Sequence, residues 1–232
     1  MIWELRRYVI APGRIADIHT RFRVHLPPLL ARHRIHVVGR WTDNTNAEMP
    51  AFVYMTAYRD LSERELQWRD FYADAEWPDV RARSNGATDM IERIDISFLR
   101  PPDDWQPSVP NVPIGGFHEL TLFETALGQM LAVHDHVDRF ERPLLSHHGG
   151  RIMLIADFVT GADLPKIAVL SAWPDHDTSS AATVAMASDA DVQAVMQAQT
   201  LQFGQPLLRQ SDRVQLEPAA DALPLGWLGF QH

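Results

Sequence analysis

Residues 2–10 alternate between two kinds of side chain, which is the pattern of a β-strand whose two faces differ. One face carries an acid, a base and a phenol, namely Glu4, Arg6 and Tyr8. The other face is apolar and carries Trp3, Leu5 and Val9. We expect the apolar face to pack against helices and the polar face to point into an interior.

A helix, two strands, a second helix and a fourth strand are predicted after the turn at Pro12-Gly13. Apolar side chains recur at steps of three and four through residues 14–33, which indicates one helical stripe, and Pro27-Pro28 should interrupt that helix near its C-terminal end. The second helix opens near residue 60, with Asp60 or Ser62 as its N-cap. The predicted strands that follow the first helix lie at 37–41, 52–58 and 88–99. The order β-α-β-β-α-β is that of the ferredoxin-like motif.

The same order of elements returns 115 residues later. Without a gap, residues 2–60 and 117–175 are identical at 14 of 59 positions, which indicates an internal duplication. The matching positions include Glu4 and Glu119, Gly13 and Gly128, and His19 and His134. The second copy has predicted strands at 117–124, 151–159, 166–173 and 208–217, and helical regions at 128–148 and 176–203.

The duplication predicts an α+β fold made of two fused ferredoxin-like repeats, residues 1–100 and residues 115–218. One repeat alone leaves a face of its sheet uncovered. We therefore expect the two sheets to pack on each other as an intramolecular dimeric α/β barrel, with the helices outside and the polar face of the first strand inside. Residues 101–114 are rich in proline and predict a semi-rigid linker. The tail at 219–232 contains Trp227 and Phe230 and is expected to dock on the body.

Composition excludes several classes of partner and of chemistry. The formal net charge of −9 argues against nucleic-acid binding, which needs clustered Lys and Arg. The absence of cysteine excludes disulfides, thiolate metal ligands and a cysteine nucleophile. No apolar run reaches the roughly 18–20 residues that span a bilayer, and no signal peptide is visible, so a cytoplasmic protein without a membrane partner is expected. No metal-ligand spacing and no nucleotide-binding motif is present.

Three side chains are candidates for catalysis. Arg6 could clamp an anion or a carbonyl oxygen while Glu4 orients it, or the two could form an ion pair that only stabilises the fold. His19 lies on the flank of the apolar stripe, and its reading is a hydrogen-bonded helix histidine, a general base or a haem ligand. In the catalytic hypothesis, either Glu4 or His19 moves the proton.

A group of aromatic side chains is the candidate substrate-binding set. An apolar pocket with a few polar tips is the usual make-up of a small-ligand site, although the same residues could simply form core. The set belongs to the first half of the chain, where we expect the pocket to lie if there is one pocket: Tyr8, Trp41, Tyr54, Tyr58 and Trp68.

The N-terminal half resembles a NIPSNAP domain, a branch of the dimeric α/β-barrel superfamily. The resemblance rests on these residues, in this order: Trp3-Glu4-Leu5-Arg6-Arg7-Tyr8, Pro12-Gly13, Pro28-Leu29, His33, Gly39-x-Trp41, Ala57-Tyr58-x-Asp60-Leu61, Arg64 and Glu76-Trp77. The second half is similar at fewer positions: Glu119-Leu120, Gly128, Pro143-Leu144 and His148-Gly149. It has Thr121 opposite Arg6, Phe123 opposite Tyr8 and Ala156 opposite Trp41, so a site built from Arg6 is predicted to be single.

The resemblance implies a fold and little chemistry. Members of the superfamily include cofactor-free monooxygenases, haem proteins and small-molecule isomerases or dehydratases. The leading hypothesis is a barrel protein that binds a small, partly apolar molecule and works without an organic cofactor, by proton transfer. The alternatives are a non-catalytic binding or scaffold module and a haem-binding barrel. Because the fusion would supply its own pseudo-dimer, we expect a monomer or a weak homo-oligomer.

Overall fold

The chain forms two successive β-α-β-β-α-β repeats in the computed structural model, which describes residues 1–45, 50–102 and 116–219. The strands of the first repeat are β1 (Ile2–Ile10), β2 (His36–Asp43), β3 (Ala51–Tyr58) and β4 (Ile91–Arg100). Its helices are α1 (Ile15–Thr20), α2 (Pro27–Arg32), α3 (Leu61–Ala73) and α4 (Trp77–Asn85). The strands of the second repeat are β5 (Phe117–Thr125), β6 (Arg151–Phe158), β7 (Lys166–Trp173) and β8 (Leu208–Pro218). Its helices are α5 (Met130–His136), α6 (Arg142–His147), α7 (His176–Ser188) and α8 (Ala190–Phe203).

The chain divides into two units, one formed by Met1–Ile114 with Leu216–His232 and the other by Gly115–Gln215. In the first repeat the antiparallel strand order is β4-β1-β3-β2, and in the second it is β8-β5-β7-β6. Residues 103–114 of the predicted linker and residues 220–232 of the predicted tail lie outside the described residues. No helix in the part of the chain that the structure describes is long and apolar enough to cross a membrane.

The two repeats agree in register as well as in order. Glu4 pairs with Thr56 across β1 and β3, and Glu119 pairs with Ser171 across β5 and β7, each 115 residues further along. The register shift in β2 lies between Val37 and Gly39, and the corresponding shift in β6 lies between Ile152 and Leu154. The predicted duplication is therefore present in the backbone as well as in the sequence.

The first helical segment is interrupted, as the proline pair predicted. Between α1 and α2 lies a π-helical turn, Arg21–His25, and the Leu26 N–H donates to the Arg21 carbonyl, five residues earlier, at 2.9 Å. Pro27 then occupies the first turn of α2, where its missing N–H leaves no helical bond unmade. The second repeat has the same interruption, a π-helical turn at Val137–Glu141 before α6.

The predicted direction of the two faces of β1 is wrong. Glu4, Arg6 and Tyr8 point toward the helices: Tyr8 packs in one core with Phe22, and Glu4 accepts hydrogen bonds from α3. The reason is that β1 is buried on both faces, with Trp3 at 0% exposure and Glu4 at 0%. Alternation of polar and apolar residues tells which side chains share a face, but in a strand buried on both faces it does not tell which face meets the helices.

The N-cap of α3 offers a test of the local folding argument. Asp60 accepts a hydrogen bond from the Glu63 N–H at 2.8 Å, which selects it over Ser62, the other predicted cap. We expect Asp60→Ala to lower the free energy of unfolding by about 1 kcal/mol, because one orphan N–H loses its acceptor. Denaturant titration measures this, with exposed Ser62→Ala as the control. Equal losses from the two variants would contradict the assignment.

Candidate functional site

A buried ion pair lies at the centre of the first repeat. Arg6 is 2% exposed, and its Nε donates to Glu4 Oε1 at 2.7 Å. Glu4 accepts three further hydrogen bonds: Arg64 Nη2 donates at 2.9 Å, Arg64 Nε at 3.1 Å and Trp68 Nε1 at 3.3 Å. Arg64 and Trp68 lie four residues apart and therefore on the same side of α3. Both carboxylate oxygens are thus held by donors from β1 and α3.

These donors decide the protonation state of Glu4. Burial raises the pKa of its carboxyl, but the hydrogen bonds from Arg64 and the positive charge of Arg6 outweigh burial, and the net pKa lies below the ordinary 4.5. Glu4 is therefore ionised at neutral pH. A carboxylate whose oxygens are occupied by four donors is a poor proton acceptor, so the geometry makes Glu4 a residue that orients Arg6.

The other end of Arg6 meets two tyrosines. Its Nη1 donates to the Tyr8 hydroxyl at 3.0 Å and to the Tyr54 hydroxyl at 3.3 Å, and the two hydroxyl oxygens are 2.6 Å apart. The guanidinium carbon also lies 3.9 Å from the centre of the Trp68 ring, a cation–π contact. Burial raises the pKa of both tyrosines above the ordinary 10.0, so both keep their protons at neutral pH.

Tyr8 and Tyr54 have two hydroxyl protons between them. Arg6 can only donate and therefore accepts neither, and one of the two protons lies in the hydrogen bond between the hydroxyl oxygens. The second hydroxyl proton of the Tyr8–Tyr54 pair has no acceptor among these three side chains. Both tyrosines line a cavity, so this O–H group is available to a ligand there.

That cavity has a volume of about 440 Å³ and lies between the helices and the sheet of the first repeat. Its wall is rich in aromatic residues and includes Phe22, Trp68, Phe71, Tyr72 and Trp77. Several of its lining side chains are open to solvent, among them Tyr72 at 54% and Ile94 at 48% exposure, so a small molecule has a path inward. The combination of an aromatic wall and a few polar tips suits a small, partly apolar ligand.

A second polar group lines the same cavity. Arg21 is 3% exposed, and its Nε donates to Ser84 Oγ at 2.8 Å while its Nη2 bonds Asn85. Arg81 pairs with Asp89 at 3.0 Å. Sequence reasoning missed this group. The available signal was Arg21 itself, a charged residue beside the apolar stripe that Ile18 and Phe22 define.

The predicted aromatic set does not form one site. Tyr8, Tyr54 and Trp68 line the cavity, whereas Tyr58 lies behind Trp68 and its hydroxyl accepts from the indole Nε1 at 2.6 Å. Trp41 pairs with Val53 in the register, which places it on the other face of the sheet from Tyr54. It covers the backbone there: a Cβ on Gly39 would lie 2.1 Å from its ring.

The predicted catalytic residues lie outside the cavity lining. Neither Glu4, Arg6 nor His19 is among the described residues that line it. His19 Nε2 is 2.7 Å from the Thr42 hydroxyl, and its ring meets Phe52 edge-on. Seen from the cavity, Arg6 thus lies behind the tyrosine hydroxyls. His19 lies between α1 and the sheet, where it is hydrogen-bonded.

A second cavity lies in the other half of the chain. It has a volume of about 240 Å³ and is lined by residues of the second repeat. Several of these stand 115 residues after lining residues of the first cavity: Phe123, Val137, Leu145, Val169, Thr183 and Met186. The duplication has therefore produced a cavity at the same place in each repeat.

The second repeat keeps the buried acid and changes its partner. Glu119 is 2% exposed and has Thr121 where the first repeat has Arg6. Arg213 of β8 supplies the guanidinium instead, with its Nη2 2.6 Å from Glu119 Oε2. The prediction that a site built from Arg6 is single stays a prediction. The arginine that pairs with the acid of the second repeat comes from β8 and not from β5.

Comparison with known proteins identifies the first repeat and the overall fold. Residues 3–104 match the family model described as NIPSNAP. A NIPSNAP domain protein from Burkholderia xenovorans is 23% identical and covers 45% of this chain and 98% of its own, with a TM-score of 0.40. A search of curated proteins finds no match.

Two solved structures match the whole chain. A proposed monooxygenase from Fusobacterium nucleatum has a TM-score of 0.59 at 9% identity, over 94% of this chain and 91% of that one. A proposed monooxygenase from Lactobacillus acidophilus has a TM-score of 0.55 at 8% identity, over 97% and 98%. These likenesses show the fold: the chain is α+β, with two fused ferredoxin-like repeats of the dimeric α/β-barrel type.

The ion pair beneath the tyrosines predicts a large stability effect. We expect Arg6→Met to lower the free energy of unfolding by about 3 kcal/mol, because Glu4 keeps its charge in a buried site and loses one of its two cations. The matched control is Arg69→Met on α3, whose 63%-exposed side chain pairs only with exposed Asp70, and its loss should stay below about 1 kcal/mol. Denaturant unfolding checks both values, and similar losses would contradict the assigned role.

Proposed function

We propose that this chain belongs to the NIPSNAP family, whose model matches residues 3–104, and that its first repeat binds a small aromatic carbonyl or phenol in its 440 Å³ cavity. The observation that carries the proposal is the Tyr8–Tyr54 hydroxyl pair with Arg6 behind it. The ligand oxygen accepts the hydroxyl proton that the pair does not use. The aromatic wall takes the apolar body of the ligand.

Arg6 makes that hydroxyl more than a neutral donor. The positive charge of Arg6 acts through the tyrosine to stabilise negative charge that develops on the ligand oxygen. Glu4, Trp68 and burial hold the Arg6 guanidinium in place. Preorganised donors of this kind stabilise an enolate or phenolate because they need no reorganisation when the charge appears. The arrangement supports proton removal from the ligand without an organic cofactor.

Glu92 is the carboxylate that suits the role of base. It lines the cavity, and among the described residues its side chain has no hydrogen-bond or ion-pair partner, whereas Asp89 is bonded to Arg81 and Asn85. In the proposed step the C–H bond beside the ligand carbonyl breaks, the proton passes to the Glu92 carboxylate, and the electron pair moves to the oxygen held by the tyrosines. This assignment replaces Glu4 and His19 as proton carriers.

The ketone 1-tetralone tests both halves of the proposal, binding and proton transfer. We expect the protein to bind it and to accelerate exchange of its α-protons in D₂O, as measured by NMR. The pair variant Tyr8→Phe/Tyr54→Phe should weaken binding about tenfold or more, because both hydroxyls that Arg6 backs are removed and the ligand loses its charge-backed donor. Glu92→Gln should slow the exchange and leave the affinity nearly unchanged.

Tyr72→Phe is the control for the pair variant, because it removes a tyrosine hydroxyl that Arg6 does not back. Tyr72 lines the same cavity, but Arg6 does not bond its hydroxyl, so the variant should bind 1-tetralone like the unmodified protein. Equal losses from the two tyrosine variants would overturn the role of the Arg6-backed pair. Tight binding without accelerated exchange would overturn the catalytic part and leave a binding module.

A further inference from the structure

The cavity of the second repeat differs most from its counterpart at the floor. Where the first cavity has Tyr8, Tyr54 and Trp68, the positions 115 residues later have Phe123, Val169 and Thr183. The first cavity therefore ends at tyrosine hydroxyls and an indole ring, with the ion pair behind them. In the second cavity the small Thr183 leaves Glu119 and Arg213 themselves in the lining.

Glu119 is a buried carboxylate with too few donors. Among the described residues its side chain accepts one hydrogen bond, from Arg213 Nη2 to Oε2, whereas Glu4 accepts four. Buried carboxylate oxygens are normally satisfied by donors, since an unpaired one loses its hydration without compensation. Within the described part of the chain, Glu119 Oε1 is thus an acceptor without a protein partner, and Glu119 lines a cavity.

The charge of the lining decides which kind of donor suits this acceptor. Two carboxylates line the cavity, Glu119 and Glu141, and Arg213 is the cation among the described lining residues. Glu141 has a histidine partner, His136, whose Nε2 is 3.2 Å from Oε1. The excess of carboxylates disfavours an anion and favours a cation that carries its own N–H donors.

We propose that the second repeat contains a separate ligand site for a small primary amine with an apolar body. The ammonium group donates to Glu119 Oε1, and the negative charge of Glu141 adds attraction. The apolar body packs on Phe123, Leu145 and Met186 of the wall. The site is independent of the proposed function, because the two cavities share no lining residue.

Three probes of similar shape and different charge test the site: benzylamine, benzyl alcohol and benzoate. In calorimetric titrations of the full chain at pH 7, we expect benzylamine to bind at least tenfold more tightly than benzyl alcohol, and benzoate not to bind. Equal affinity for the amine and the alcohol would overturn the role of charge. No binding of any probe would mean that the cavity holds solvent only, which also overturns the proposal.

Two variants of the second repeat locate the binding. Glu119→Gln should weaken benzylamine binding at least tenfold. Thr183→Trp places at this position the residue that the first repeat has at Trp68, and should close the floor and abolish binding. If Glu119→Gln fails to fold, Thr183→Trp decides, and benzylamine affinity unchanged in Thr183→Trp would overturn the site.

The pair variant Tyr8→Phe/Tyr54→Phe in the first repeat is the control that separates the two cavities. It should leave benzylamine affinity unchanged while it weakens 1-tetralone binding. Loss of both ligands in the pair variant would place benzylamine in the first cavity and overturn the second site. Unchanged binding of 1-tetralone in the pair variant, with benzylamine still lost in Glu119→Gln, would contradict the proposed function alone.

Discussion

A carboxylate buried beneath the helices of each repeat is the constraint on which the two sites depend. Glu4 and Glu119 stand at the same position of their first strands and are 0% and 2% exposed. A carboxylate in such a place costs several kcal/mol unless a cation and further donors accompany it. In each repeat, therefore, at least one guanidinium pairs with the buried acid.

The two repeats meet this constraint with cations from different elements. In the first repeat Arg6 and Arg64 approach from β1 and α3, and Trp68 covers the pair. In the second repeat Arg213 approaches from β8, 94 residues away from the acid in sequence. At the position that Trp68 has in the first repeat, the second repeat has Thr183, a smaller residue that leaves room for Arg213 beside α7. Arg213 Nη1 donates to the Thr183 hydroxyl at 2.8 Å. The choice of partner thus decides whether the cavity ends at tyrosines or at the ion pair itself.

Local patterns predicted the elements well because the forces that set them are local. Apolar spacing, the proline pair and Asp60 as a cap indicated the helices, and the 115-residue offset carried the strand assignment into the second repeat. The direction of β1 could not be predicted in this way, since both of its faces are buried. Trp41 was grouped with Tyr54 for its chemistry, although register places it on the other face.

The site was predictable only in part, because it depends on contacts between distant segments. Tyr8, Tyr54 and Trp68 were found from residue type and from the first repeat's richness in polar aromatic residues. Arg21 and Glu92 were missed because their roles come from the packing of the π-helical turn and of β4 around the cavity. The pairing of Glu119 with Arg213 had no signal in a search for motifs repeated between the halves, since the first repeat has Phe98 at the corresponding position.

The central claim is that Glu4 acts on a ligand through Arg6 and the Tyr8–Tyr54 hydroxyl pair, and a double-mutant cycle that treats the pair as one change tests it most directly. The affinity for 1-tetralone would be measured in Glu4→Gln, in the pair variant Tyr8→Phe/Tyr54→Phe and in the combination of the two, with thermal unfolding to show that each is folded. If Glu4 acts along this chain of contacts, the combined variant binds no more weakly than the pair variant alone. Losses that multiply in the combined variant would show that Glu4 affects the ligand by another route, and would contradict the account.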